Sequence, residues 1–190
     1  DHFIESFVSH LFDRFPDVLM QWEDFAGYHA APLLHRYRDR VLSFNDDLQG
    51  TAAVALASVQ AAANVSGHRL VDQRFCIVGA GAVGAAYASM MDDHSPGCVS
   101  LLADGERFDR LSRQGITANG RRCRIPLIRP REAVPADLVL VAVKFHDLPR
   151  AVEDIRGCVG PETAILSLLN GISSEEIIGA RYGMERVLYG

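Results

Sequence analysis

Three glycines with the spacing G-x-G-x-x-G carry the clearest chemical meaning in this sequence. An apolar run at 75–78 leads directly into Gly79, Gly81 and Gly84, and small residues follow at helix-forming positions. In this spacing, Gly79 permits a sharp turn, Gly81 lets the backbone approach a pyrophosphate, and Gly84 lets a helix pack closely on a strand. Since the start of that helix offers N–H groups and partial positive charge to phosphates, the pattern predicts a dinucleotide-binding loop rather than a glycine-rich turn without a ligand. The predicted cofactor-binding loop is completed by Ala80, Ala82 and Val83.

Two pairs of acidic residues form a second group with chemical meaning. Glu23 and Asp24 follow one short apolar stretch, and Asp46 and Asp47 follow another. Because the carboxyl ends of parallel strands lie at the same edge of a sheet, we expect these carboxylates to converge. Oxygen ligands of this kind suit Mg²⁺ or Mn²⁺. The alternative is that the acidic pairs cap helices and face water.

One acidic residue after the glycines bears on the choice of cofactor. Asp104 ends the next predicted strand, about 20 positions after the glycines, where NAD-binding proteins hold the adenosine ribose hydroxyl. Arg107, three residues on, could instead face a 2′-phosphate, which would favour NADP. Asp104 could equally be the N-cap of the helix that follows. The sequence therefore leaves NAD and NADP both open.

Two polar residues end two later apolar runs. Lys144 follows the run at 137–143, and Asn170 follows the run at 164–169. Of the 19 basic residues 18 are arginine, so Lys144 is the only lysine of the chain. Lys144 is predicted to point to the cofactor side of the sheet, and a plain surface role for it is the alternative.

The elements that must position these residues follow two patterns. Before the glycines, the apolar spacing predicts α-β-α-β-α, with helices over 3–14, 26–39 and 49–65 and strands over 17–22 and 41–44. After them, strands and helices alternate, with one hairpin inserted at 116–123, where Asn-Gly marks the turn. We therefore predict an α/β protein with a Rossmann-like, doubly wound parallel sheet.

Composition narrows the class of protein. The chain has 190 residues, of which 48% are hydrophobic and 23% charged, with a formal net charge of −5. This mild acidity argues against nucleic acid or an anionic membrane as partner, and no apolar run reaches the roughly 18 residues of a membrane span. The four cysteines show no C-x-x-C pairing. We therefore expect a reduced, cytoplasmic setting.

The segment before the glycines resembles malic enzymes, the NAD(P)-dependent oxidative decarboxylases of malate. The resemblance runs from about residue 7 to 75 and includes VLMQWEDFAGYHAAPLLHRYRD and LSFNDDLQGTAAVALA. It implies that Glu23, Asp24 and Asp47 hold a divalent cation, Mg²⁺ or Mn²⁺, with Asp46 beside them. Such a cation polarises the keto oxygen during decarboxylation.

The segment from about residue 75 to 190 resembles the N-terminal, NADP-binding domain of ketopantoate reductases. Its motifs include IVGAGAVGAAYAS, ADGERFDRL, ANGRR, DLVLVAVKFHDL, and AILSLLNGISSEEII followed by RVLYG. The resemblance implies that Lys144 and Asn170 border the nicotinamide and the substrate, so these two are the candidate catalytic residues. Lys144 is also counted among the candidate cofactor-binding residues.

The two resemblances together predict a chimera. We place a malic-enzyme-like segment with the acidic motifs at 1–47 and an NAD(P)-binding Rossmann domain at 48–190, with the two ancestries joined near 72–84. The chain lacks an initial Met and ends after a strand-like VLYG, so we expect a piece of something longer. By resemblance, the Lys base and Tyr acid of malic enzymes precede this stretch, and the Lys acid and carboxylate of ketopantoate reductases follow it.

The sequence therefore supports two alternative hypotheses about function. The first is an NAD(P)-dependent oxidoreductase that acts on a small 2-hydroxy or 2-keto acid. The second is an NAD(P)-binding module or fold chimera without turnover, so enzyme activity is left open. Apolar surface that the missing parts would otherwise cover favours association into a homo-oligomer. The choice between malate and ketopantoate, a natural or engineered origin, and the oligomeric state are left open as well.

Overall fold

The structure is a computed structural model, and its description covers most of the chain. The described residues are 2–23, 25, 27–50, 53–54, 57, 59–60, 67, 69–118, 121–171 and 173–189, with the backbone alone at 27, 28, 70, 82 and 121. The chain forms two compact units, Asp1–Ala53 and Val54–Gly190. The domain boundary predicted between residues 47 and 48 stays a prediction.

The first unit alternates helices with two short parallel strands. Its elements are α1 (His2–Arg14), β1 (Met20–Trp22), α2 (Gly27–Tyr37), β2 (Ser43–Asn45) and a π-helix (Asp46–Gly50). Trp22 lies opposite Asn45 in the parallel register, so the two strands end side by side. The order of these elements follows the predicted α-β-α-β pattern.

Aromatic packing and one polar cluster hold the first unit together. Trp22 is buried against Tyr37, with ring centroids 5.2 Å apart, and Val8 of α1 belongs to the same core. The buried Tyr37 hydroxyl donates to Glu5 Oε2 at 2.6 Å, and Arg40 Nη2 lies 2.7 Å from Glu5 Oε1. Hydrogen bonds from Arg40 and Tyr37 lower the pKa of Glu5 to about 2.

The second unit contains the strands β3 (Phe75–Val78), β4 (Val99–Leu102), β5 (Ile116–Ala118), β6 (Arg121–Cys123), β7 (Leu127–Ile128), β8 (Leu138–Val141), β9 (Ala164–Ser167) and β10 (Val187–Leu188). Six of these strands form a parallel sheet in the order β10-β9-β8-β3-β4-β7. A separate antiparallel hairpin of β5 and β6 pairs Ile116 with Cys123, as the sequence predicted. This arrangement confirms the predicted α/β fold with a parallel sheet.

In the part of this unit that the structure describes, four α-helices connect these strands, together with short 3₁₀ turns. The helices are α3 (Ala82–His94), α4 (Gly105–Gln114), α5 (Leu148–Asp154) and α6 (Ser173–Tyr182). A 3₁₀ turn at Phe145–Asp147 precedes α5, and another at Ile155–Cys158 follows it. Among the described residues, no helix is both long and apolar enough to span a membrane.

The strand order creates a switch point beside the glycine loop. From β3 the chain proceeds to β4 on one side, whereas β8, which comes later, pairs with β3 on the other side. All four residues of β3 and all four of β8 are buried, which accounts for their uninterrupted apolar sequence. In open α/β sheets, ligands bind beyond the carboxyl ends of the strands at such a point.

Two features of the fold differ from the sequence expectations or lie outside them. The two-residue strand β7 was not predicted, because it is shorter than any periodic pattern and is recognised only by its pairing with Leu101 and Leu102. The helix predicted over 49–65 falls mostly outside the described residues, although those described within 53–60 are helical.

Candidate functional site

The glycine loop starts directly after β3 and is tightly packed at two of its three glycines. Gly79 has a φ of +104°, which L side chains rarely adopt, and a β-carbon there would lie 2.5 Å from the carbonyl oxygen of Ala142. A β-carbon on Gly84 would collide with the carbonyl oxygen of Gly79. Both positions therefore require glycine for the loop to close against the start of α3 and the end of β8.

Gly81 differs from the other two glycines because it faces open space. Apart from Gly81 itself and its two chain neighbours, no described atom lies within 4 Å of the position that a β-carbon on Gly81 would occupy. Packing within the protein thus does not explain glycine here, whereas close approach of a ligand to the backbone would. Gly81 occupies the N-cap of the 13-residue helix α3, where no side chain forms a capping bond. A phosphate is the kind of group that such a helix start binds.

A cavity of about 290 Å³ opens beside this loop, at the carboxyl ends of β3 and β4. Its volume is near the lower end of the roughly 300–1,000 Å³ that ligand pockets usually enclose. The cavity is lined by Val78, Leu102, Ala103, Asp104, Gly105, Glu106, Arg107, Val143, Asp147, Arg150, Ala151 and Asp154. Asp104 and Arg107, the two residues that the sequence linked to the cofactor ribose, are thus brought together in one wall.

Two ion pairs lie among the residues that line this cavity. Arg107 Nη2 lies 3.8 Å from Asp147 Oδ2, and Arg150 Nε lies 3.6 Å from Asp154 Oδ2. Burial raises the pKa of Asp154, and the negative charge of Asp104 raises it further, whereas Arg150 opposes the shift. The carboxylates of Asp104 and Asp154 are therefore close enough to repel each other.

Asp104 does not cap the helix that follows it. It occupies the N-cap position of α4, but its side chain forms no capping hydrogen bond. The carboxylate is exposed at the cavity instead. The sequence left two roles open for Asp104, namely helix capping and binding of the cofactor ribose. Because the side chain forms no capping bond, its oxygens are available to a ligand.

Lys144 and Asn170 follow two neighbouring strands by the same number of residues. Val141 is paired with Ser167 in the register of β8 and β9, and the Leu168 amide donates to the Val141 carbonyl at 2.9 Å. Lys144 and Asn170 each come three residues after that pair, and both side chains are exposed. They therefore stand at the carboxyl edge of the sheet, the edge that also carries the glycine loop.

Three residues that line the cavity were not predicted from the sequence. Asp147, Arg150 and Asp154 belong to the 3₁₀ turn and helix after β8, more than 40 residues from Asp104. A signal was available in the i,i+4 spacing of Arg150 and Asp154, directly after a strand end that was already predicted. The contact of Asp147 with Arg107 could not be predicted from the sequence, because it depends on the order of the strands.

The acidic residues of the first unit are only partly described. Glu23 follows β1, and its Oε2 accepts a hydrogen bond from Gln21 Nε2 at 2.6 Å. Asp46 and Asp47 begin the π-helix after β2, and Asp24 lies outside the described residues. Within the described parts of the chain, no three His, Cys, Asp or Glu side chains gather as a metal site would require.

Comparison with known proteins now assigns the larger part of the chain. The sequence profile of the family described as ketopantoate reductase PanE/ApbA matches residues 75–190, which is more than half of the chain. The chain belongs to this family. Among solved structures, D-mandelate dehydrogenase in a ternary structure with NADH and anilino(oxo)acetate is 27% identical and has a TM-score of 0.55. The similarity covers 62% of this chain and 40% of that one.

Malic enzymes match a different part of the chain. The NAD-dependent malic enzyme of Edwardsiella ictaluri is 52% identical over 89 residues, which make up 47% of this chain and 16% of that protein. The structure of malic enzyme from Pyrococcus horikoshii covers 98% of this chain and 47% of that one, with a TM-score of 0.61 and 21% identity, so it shows similarity of fold alone.

These matches confirm both predicted resemblances. By family and by fold the chain is like NAD(P)-dependent oxidoreductases. It spans about a sixth of the length of the malic enzyme and less than half of the two solved chains.

Proposed function

We propose that the Val54–Gly190 unit binds a nicotinamide dinucleotide and that the protein is an oxidoreductase for a small 2-hydroxy or 2-keto acid. The observation that carries this proposal is the open space at Gly81, directly at the start of α3 and beside the cavity at the carboxyl ends of the strands. A glycine that packing does not require, placed at an uncapped helix start, fits a pyrophosphate-binding position.

Each residue of the loop has its own part in this proposal. Gly79 and Gly84 hold the turn in shape, and Gly81 leaves room for the pyrophosphate. Ala80, Ala82 and Val83 supply the backbone between them, with N–H groups near the positive end of α3. Asp104 and Arg107 would face the adenosine ribose from the cavity wall.

Lys144 and Asn170 are proposed to border the reacting end. A bound nicotinamide would exchange a hydride with the carbon that carries the hydroxyl or keto group of the substrate. An ammonium group beside that carbon stabilises negative charge that develops on the keto oxygen, and a side-chain amide can donate a hydrogen bond to the same oxygen or to the carboxylate. This assignment is supported by the matching positions of both residues at the sheet edge.

We further propose that the chain is a chimera joined near residues 72–84. The malic enzyme match and the ketopantoate reductase match fall on different parts of the chain, which supports this origin. The proposed Mg²⁺ or Mn²⁺ ligands are Glu23, Asp24 and Asp47. Because the described residues do not complete this ligand set, no step of the proposed reaction passes through a metal.

A second candidate function is a dinucleotide-binding module without turnover. It is favoured by the exposure of Lys144 and Asn170, since catalytic groups gain most of their electrostatic effect in sites that exclude water. This candidate shares the loop and the cavity with the first, and the two differ only in what happens after binding.

One experiment separates these proposals. The chain is titrated with NADH and NADPH by fluorescence, and is then assayed for malate oxidation with Mn²⁺ and for ketopantoate reduction. Binding together with either turnover supports the oxidoreductase. Binding without turnover supports the binding module and contradicts the oxidoreductase. Binding of neither nucleotide contradicts both.

A further inference from the structure

The cavity beside the glycine loop carries an unequal set of charges. Six ionisable side chains line it, and four carboxylates against two guanidinium groups leave a formal charge of −2. The carboxylates belong to Asp104, Glu106, Asp147 and Asp154, and the guanidinium groups to Arg107 and Arg150. A site for an additional phosphate would be expected to have the opposite balance.

Both arginines of the cavity already have carboxylate partners. Arg107 lies 3.8 Å from Asp147, and Arg150 lies 3.6 Å from Asp154. By contrast, neither Asp104 nor Glu106 forms an ion pair with any residue that the structure describes. The charge that remains uncompensated in the cavity is therefore negative, and it lies at the end of β4.

The end of β4 is the position that faces an adenosine ribose in this fold. A free 2′-hydroxyl can donate a hydrogen bond to the Asp104 carboxylate. A 2′-phosphate carries a charge of about −2 and would meet that carboxylate at close range. It would also have to compete with Asp147 for the guanidinium group of Arg107.

We propose that this cavity selects NAD(H) over NADP(H), and that Asp147 is a specificity-determining residue because it occupies Arg107. The inference rests on the proposed dinucleotide site and goes further by naming the cofactor. It departs from the NADP that the resemblance to ketopantoate reductases implies. Asp104 accepts the hydrogen bond from the ribose, and Asp147 keeps Arg107 from serving a 2′-phosphate.

If Asp147 occupies Arg107, then removing the charge of Asp147 should change the affinity for NADPH. Binding of the ribose by Asp104 alone would not predict this effect. Replacing Asp147 by Asn keeps the size of the side chain but removes the charge that holds Arg107. Arg107 then becomes available to a 2′-phosphate, so affinity for NADPH rises while affinity for NADH stays nearly constant. Asp109→Asn is the matched control, since Asp109 lies 3.7 Å from a different arginine, Arg129, and is not among the cavity residues.

The test measures dissociation constants for NADH and NADPH by fluorescence titration of the whole chain. We expect NADH to bind about tenfold tighter or more, the size of one hydrogen bond to a charged group. Asp147→Asn is expected to tighten NADPH binding about threefold, as for removal of one exposed charge pair, and Asp109→Asn to leave the ratio unchanged. Asp104→Asn is expected to reduce the preference for NADH, and thermal unfolding of each variant checks that it is folded.

Each outcome decides one point. Equal or tighter binding of NADPH by the unaltered chain overturns this inference and leaves the proposed function intact. If Asp147→Asn changes the ratio of the NADPH and NADH dissociation constants no more than Asp109→Asn does, the role of Asp147 is overturned. Failure of both nucleotides to bind overturns the proposed function itself, and this inference with it.

Discussion

The carbonyl oxygen of Gly79 lies against the α-carbon of Gly84, on the side where any other residue would carry its β-carbon. The two ends of the loop therefore touch through backbone atoms, which cannot move aside as a flexible side chain would. The position of α3 relative to β3 depends on this contact. Gly79 and Gly84 are therefore required by packing, whereas Gly81 is the glycine of the motif that would serve a ligand.

The first prediction concerns Gly84. Changing Gly84 to Ala places a methyl group against the Gly79 carbonyl, and we expect a loss of stability of about 3 kcal/mol or more, at the upper end for overpacked positions. The same change at Gly81 meets open space and is expected to cost less than about 1 kcal/mol. Urea unfolding of the two variants measures the difference. Equal destabilisation by both would contradict the packing described here.

The second prediction concerns Lys144. Changing Lys144 to Met removes the charge at the carboxyl edge of β8, and we expect roughly tenfold slower turnover or, if there is none, weaker NADH binding. Because the side chain is exposed, the melting temperature should stay nearly unchanged. Arg156→Met is the control, since it removes an exposed positive charge from the 3₁₀ turn after α5. An equal effect of the two variants would show that general charge, rather than position, is responsible.

The third prediction concerns acid stability of the first unit. Hydrogen bonds from Arg40 and Tyr37 hold the folded pKa of Glu5 at about 2, below its ordinary value of 4.5. The stabilisation is therefore complete above pH 4.5 and is lost as the pH falls towards 2. Trp22, the only tryptophan of the chain, packs against Tyr37, so its fluorescence reports on this unit.

The Glu5 prediction is tested by urea unfolding at several pH values, followed by Trp22 fluorescence. Glu5→Gln should remove most of the change in stability between pH 4.5 and 2, because it can no longer lose a proton. Glu176→Gln, an exposed change on α6 in the second unit, serves as the control. An unchanged pH dependence in Glu5→Gln would mean that other carboxylates govern acid unfolding of the first unit.

Much of the fold could be predicted from local signals in the sequence. The uninterrupted apolar runs of β3 and β8 indicated buried parallel strands, and Gly79, Gly81 and Gly84 indicated the turn between β3 and α3. The hairpin of β5 and β6 could equally be predicted, because an Asn-Gly pair between two strand-forming segments is typical of hairpins. These features share one property, namely that the residues which determine them are neighbours in the chain.

The parts that could not be predicted depend on distant residues. Asp104 and Arg107 were linked to the cofactor by their distance from the glycines, but the proposed preference for NAD over NADP depends on the contact of Arg107 with Asp147, which lines the cavity together with Asp154. Those residues reach the cavity only because β8 pairs with β3. The exposure of Lys144 likewise could not be read from the strand that precedes it.

The proposed dinucleotide site depends most directly on Gly81, where a β-carbon would meet open space and packing does not require glycine. The decisive measurement is a titration of Gly81→Val with NADH, beside the unaltered chain and Gly81→Ala. We predict that binding weakens with Ala and disappears with Val while both variants unfold at nearly the same temperature as the unaltered chain, because their side chains meet only open space. Undiminished NADH affinity in a folded Gly81→Val variant would contradict the assignment of this loop as the dinucleotide site.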